Sequence, residues 1–120
     1  MALHQSGEDY LEAILVLRER KGNVRSIDVA QHLNYSKPSV SRAMSILRAN
    51  GYITVEQDGR LALTASGEQV AREIYERHKL LTDWLVRLGV SPEVAAEDAC
   101  KIEHDISPET FRCLKQHVQR

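Results

Sequence analysis

The chain has 120 residues, 42% of them hydrophobic, 28% charged and 5% aromatic, with a formal net charge of −1. That length suits one domain, or a small module with a helical extension, and leaves no room for two large domains. There is no internal repeat, signal peptide or long apolar run, and two separated cysteines, Cys100 and Cys113, offer no disulfide framework, so the reading is a cytoplasmic protein without a membrane partner.

Residues 5–20 read as a first helix. Tyr10, Ala13, Ile14 and Leu17 recur at helical spacing, and Leu11, Leu15 and Val16 widen the stripe, so burial on more than one side is expected. Asp9 and Glu12, at i and i+3, put two carboxylates on nearly one face of it; alone, they read as compensation of the helix dipole. Ser26 to Leu33 reads as a short second helix, capped by Ser26 and burying Ile27, Ala30 and Leu33 or their near neighbours. Asn34-Tyr35 then turns the chain into a third helix.

That third helix, Ser36 to Asn50, is marked at both ends. Ser36 can cap it, Pro38 sits in the first turn where a missing N–H costs nothing, and Asn50-Gly51 supplies left-handed residues to end it. Val40, Ala43, Met44 and Leu47 form one stripe, while Pro38, Arg42, Ser45 and Ala49 occupy the opposite pole. A small, hydroxylated and basic pole suits the major groove better than bulk water. Ser36, Lys37, Pro38, Ser39, Ser41 and Arg42 are the candidate DNA contacts, with hydroxyls and Lys37 on phosphates and Arg42 on a guanine edge. Tyr52 to Glu56 and Arg60 to Thr64 read as strands joined through Asp58-Gly59, a favoured hairpin turn. Helix, helix and hairpin in this order make a winged helix-turn-helix, with Arg60 at the wing tip where phosphate or minor groove would lie.

Charge supports this division. Residues 18–60 hold eight Lys/Arg against four Asp/Glu, a net of +4, which leaves eight against thirteen, or −5, for the rest. The basic part covers the winged unit, as phosphate contacts require.

After the wing, Thr64 to Leu88 reads as one long helix ending at Gly89, with Ile74, Leu81, Leu85 and Leu88 as its stripe, Trp84 alongside and His78 within it. Ser91-Pro92 opens a helix running to about Asp105, and Ser107-Pro108 opens a last one through Val118, with Phe111, Leu114 and Val118 as its apolar face. Cys100, Glu103 and His104 fall at i, i+3 and i+4, which aligns thiol, carboxylate and imidazole on one helix face. Each of these residues, like His78, has an ordinary structural reading. Together Asp9, Glu12, His78, Cys100, Glu103 and His104 come from three helices, and a shared divalent-metal site would explain them all by turning carboxylate repulsion into a tether. HExxH, paired CxxC, a Gly-rich phosphate loop and a nucleophile elbow are all missing, so an enzyme is not expected. The competing reading is a winged-helix regulator that senses thiol oxidation, at Cys100 or Cys113, or a small ligand, without metal.

The motifs GEDYLEAI, GRLALTASGE, YERHKLL and DACKIEHDIS, in this order through nearly the whole chain, resemble the metal-dependent repressors that include the diphtheria toxin repressor and the manganese transport regulator. The resemblance implies a mainly α fold with a small β-hairpin: a winged helix-turn-helix over residues 1–64, then a helical metal-binding and dimerisation region over 65–120, its site completed by the first helix. It also implies a cytoplasmic homodimer that binds double-stranded operator DNA as a repressor when loaded with iron(II) or manganese(II); because one recognition helix reads only a half-site, the operator is expected to be palindromic. Asp9, Glu12, His78, Glu103 and His104 match the manganese-type site. Cys100 stands where that branch has glutamate, and its Cys-x-x-Glu-His spacing is similar to the iron-type branch. The iron-type branch in turn has methionine in place of Asp9, and its ancillary-site Glu and His would fall on Thr82 and Ala96. By ligand chemistry the Cys100 thiolate favours iron(II), with cobalt(II) or zinc(II) able to substitute, over manganese(II).

Overall fold

The computed structural model describes residues 5–119. The elements run α1 (Gln5–Lys21), β1 (Val24–Arg25), α2 (Ser26–Leu33), α3 (Lys37–Ala49), β2 (Ile53–Val55), β3 (Arg60–Leu63), α4 (Ala65–Arg87), α5 (Pro92–Asp105) and α6 (Pro108–Val118). Packing divides the chain into two compact units between Arg72 and Glu73, inside α4.

In the first unit α1 is the element the others pack on. Tyr10, Leu11, Ala13, Ile14, Leu15 and Leu17 are all buried, which at 100° per residue spreads over about 200° of the helix circumference. Such a helix meets α2, α3 and the sheet at once. Val16, expected to widen that stripe, is only half-buried.

Helix α2 departs from expectation at its start. Arg25 is the N-cap and Ser26 the first helical residue; the carboxylate of Asp28, at the third helical position, reaches back to accept the Arg25 backbone N–H at 2.8 Å, so the helix start is fixed from Asp28 and not by a Ser26 hydroxyl. Val29 and Ala30 are buried with Leu33 half-buried, whereas Ile27 is 40% exposed. The inward stripe is therefore 29, 30 and 33. In α3, Val40, Met44 and Leu47 are buried and Ala43 half-buried, as the spacing requires. Ser36 caps it, accepting from the Ser39 N–H at 3.4 Å, but only Gly51 ends it left-handed, at φ 81°, since Asn50 has φ −89°.

The hairpin forms with β2 antiparallel to β3, Ile53 opposite Leu63 and Val55 opposite Leu61. The sheet has a third strand that the sequence did not disclose. β1 pairs with the other edge of β3, Val24 opposite Leu61 and Arg25 opposite Arg60, giving the order β1-β3-β2.

In the second unit, Ile74 and Leu81 of α4, Ala95 and Ala99 of α5, and Val118 of α6 are buried. Trp84, Leu85, Phe111 and Leu114 are half-buried. Leu88, expected in the α4 stripe, is 64% exposed because the helix stops at Arg87. Arg77 joins all three helices: its Nη1 donates to the carbonyls of Glu103, at 3.1 Å, and Ile106, at 3.3 Å, and its guanidinium lies 5.2 Å from the Phe111 ring centroid. Lys115 of α6 pairs with Glu76 of α4. No helix among the described residues is long and apolar enough to cross a membrane.

Candidate metal centre and nucleic-acid interface

Four of the six residues singled out as metal ligands lie in the second unit, and the fold brings them together. Cys100, Glu103 and His104 line one face of α5 because i, i+3 and i+4 are neighbours on a helix, and their ligand atoms lie within 4.8 Å of one another. Helix α4 adds His78, whose Nδ1 is 3.1 Å from Glu103 Oε2. His104 Nε2 stands 3.4 Å from Glu103 Oε1. Glu103 is fully buried, the His104 side chain is 1% exposed and His78 30%.

This donor set fits a divalent transition metal. Bonds of about 2.0–2.3 Å put neighbouring ligand atoms about 3–4 Å apart, the separation found between this carboxylate and both imidazoles. A buried carboxylate is costly unless paired or coordinated, and a thiol with two imidazoles is a borderline-soft set suited to iron(II), cobalt(II) or zinc(II). Asp9 and Glu12 lie on α1 in the first unit, both half-buried and one turn apart.

The face of α3 away from its buried stripe carries the residues expected to meet nucleic acid. Lys37, Pro38, Ser41 and Arg42 are exposed there and Ser39 half-buried. Two of the hydroxyls are engaged within the protein: Ser36 Oγ donates to Ser39 Oγ at 2.8 Å while capping the helix, so their first role is to hold its N-terminus. Ile46, on the same outer side, is 61% exposed. Arg60 opens β3 beside the wing tip, its Nε 2.8 Å from Asp58 Oδ2. Arg25 reaches the same tip, donating to the backbone carbonyl of Asp58. The Arg60 backbone N–H, then the Arg60 side chain, hold the Asp58 carboxyl below the usual carboxylate range. Arg25 was not visible as a site residue in the sequence, since only the pairing of β1 with β3 brings it to the wing.

Comparison with known proteins matches each part of the chain to a family model. A family model described as the N-terminal DNA-binding domain of iron-dependent repressors matches residues 2–61. A second, described as the metal-binding and dimerisation domain of iron-dependent repressors, matches residues 64–120. The transcriptional regulator MntR of Escherichia coli is 37% identical over 113 residues, 94% of this chain and 73% of that protein. An HTH-type transcriptional regulator of Methanocaldococcus jannaschii is 33% identical over 120 residues, 98% of this chain and 96% of its own length. Among solved structures, IdeR of T. acidophilum gives a TM-score of 0.82 at 26% identity, covering 100% of this chain and 56% of that one. The manganese regulator SloR gives 0.84 at 25% identity, with 99% and 55% covered. The chain thus spans little more than half the length of these two solved chains.

Proposed function

The chain belongs to the iron-dependent repressor family, and from that membership we propose that it is a metal-activated transcriptional repressor of metal-ion homeostasis, acting in the cytoplasm as a homodimer on palindromic operator DNA. Residues 1–64 are the DNA-binding domain and 65–120 the metal-binding and dimerisation domain. The observation that carries this reading is the Glu103 carboxylate, fully buried with His78 and His104 within 3.4 Å of it and the Cys100 thiol on the same helix face. A carboxylate buried this completely is costly unless it is paired or coordinated, and a divalent metal would supply that coordination.

His78, Cys100, Glu103 and His104 would hold the ion. Asp9 and Glu12 are the further ligands, assigned from the resemblance and from their shared face on α1. When bound, the metal supplies charge neutralisation and a fixed geometry for its ligands. The chain's own residues do the rest: Lys37 and the wing arginine Arg60 contact phosphates, Arg42 reads a base edge, and Ser36 and Ser39 fix the helix that presents them. The physiological ion is iron(II) or manganese(II), as the names of the relatives indicate for those proteins; Cys100 tilts the choice toward iron.

The test is selection of bound sequences from a random duplex pool, followed by titration of the selected site with iron(II), manganese(II), cobalt(II), zinc(II) or chelator. Wild type is expected to bind only with metal. Cys100→Glu, an all oxygen-and-imidazole set, should shift activation toward manganese(II), and Cys100→Ala should weaken activation by every metal. Equal binding with chelator would favour the metal-free thiol or small-ligand regulator. An unchanged metal profile in Cys100→Ala would remove the thiol from the site.

A further inference from the structure

The root of the wing carries a charge arrangement that the recognition helix does not account for. Arg25 and Arg60 sit directly opposite one another on β1 and β3, and like charges facing across a ladder repel. Asp58 stands between them. One of its carboxylate oxygens, Oδ2, is 2.8 Å from Arg60 Nε and 3.9 Å from Arg25 Nη2. Arg25 Nη1 also donates to the Asp58 backbone carbonyl, which anchors the guanidinium at the tip.

We propose that Arg25 and Arg60 form a binding site for one phosphate group of the DNA backbone, held in the free protein by the Asp58 carboxylate as an internal anion that the phosphate displaces. The inference rests on the DNA-binding reading above and adds to it a residue, Arg25, and a competitor, Asp58. A single anionic oxygen shared by two guanidinium groups is the chemistry of a phosphate oxygen as much as of a carboxylate. The three side chains are 47%, 46% and 49% exposed for Arg25, Arg60 and Asp58, so a duplex can reach them. Exposed ion pairs are individually weak, so the carboxylate can yield to a polyanion that brings many charges at once. The triad also keeps two arginines aligned without their mutual repulsion unfolding the β1–β3 edge.

Asp58 has a second role, since its Oδ1 accepts from the Arg60 N–H at 3.2 Å. Asparagine keeps that acceptor and removes only the charge, which makes Asp58→Asn a clean probe. The salt dependence of binding to a labelled mixed-sequence duplex, in manganese(II) buffer, is compared for wild type, Asp58→Asn, Arg25→Ala and the double variant. Arg25→Ala should flatten the plot of log affinity against log salt by about one unit, the signature of one lost phosphate contact. Arg25→Lys keeps the charge and should keep the slope even if it loses the Asp58 carbonyl bond. Asp58→Asn should bind several-fold tighter, and that gain should fall to less than half when Arg25 is alanine. An equal gain in both backgrounds would mean a general charge effect and would overturn the proposal, as would an unchanged slope in Arg25→Ala or a flattened one in Arg25→Lys. Failure of wild type to bind any duplex would instead overturn the DNA-binding reading itself, and this inference with it.

Discussion

Single residues at the join between wing and α4 show how closely backbone geometry constrains this sequence. Thr64 Oγ1 donates to the Gly51 carbonyl at 2.7 Å and accepts the Gly67 N–H at 3.2 Å, capping α4 and tying it to the end of α3. Gly67, three residues on, is buried in the first turn of α4. A Cβ placed there would lie 2.0 Å from the Tyr52 carbonyl oxygen and 3.0 Å from its carbon. Two effects oppose each other on substitution. Alanine gains about 1 kcal/mol of helix propensity over glycine, but the clash is with backbone that already accepts the Thr64 N–H at 3.1 Å and cannot swing aside. Overpacking of this kind costs about 1–3 kcal/mol even where side chains can adjust. Gly67→Ala is therefore expected to destabilise by about 2 kcal/mol, read from the urea midpoint at constant slope. A neutral or raised midpoint would show that the two backbones are not so close.

At the scale of elements, the legible parts were those whose cause is local. Helix α3 could be bounded from Ser36 and Gly51 because caps act within a turn, and its buried face followed from the spacing of Val40, Met44 and Leu47. Strand β1 could not be found this way, since two residues have no period and Val24-Arg25 become a strand only through their partner β3. Arg25 was hidden for the same reason. The shared face of the candidate ligands on α5 was legible because i, i+3 and i+4 fix a face, but Arg77 was not, because its partners are carbonyls on another helix, 26 and 29 positions away. Those carbonyls belong to the last turn of α5 and the residue after it, where helix ends leave acceptors unsatisfied and favour a cation. Arg77 thereby fixes the end of α5 that carries Glu103 and His104 to the helix that carries His78. Arg77→Ala should lower stability by about 1–2 kcal/mol, through two lost bonds and the Phe111 contact. It should also weaken cobalt(II) binding, followed by the cobalt absorption bands, whereas Arg72→Ala, an exposed pair with Glu68 at 2.9 Å on the same helix, should do neither. Cobalt affinity equal to wild type in Arg77→Ala would confine Arg77 to packing.

The whole molecule poses a question of symmetry. On the palindromic operator proposed above, one α3 would read a single half-site, and two-fold operators separate half-sites by about 34–36 Å, one turn of duplex, so a second copy would have to be held at a fixed distance. Residues 18–60, which carry the recognition helix and the wing, hold a net +4 and suit phosphate better than a second copy of themselves. The second unit is better suited to self-association. Val86, Leu88 and Val94 are 39%, 64% and 46% exposed around the end of α4 and the start of α5, and the family model that matches residues 64–120 is one of metal binding and dimerisation. An isologous contact through these apolar side chains would remove them from water in both copies at once. Leu88 is the most exposed of the three and lies outside both the ligand set and the buried stripe, so a charge there disturbs neither. Leu88→Lys is expected to raise the dimer dissociation constant at least tenfold, about 1.4 kcal/mol, in sedimentation of the metal-loaded protein, and to lower operator affinity in step. Metal binding per subunit should be unchanged. If the variant sediments as wild type at the same concentration, the two-fold contact lies on another face of the helical unit.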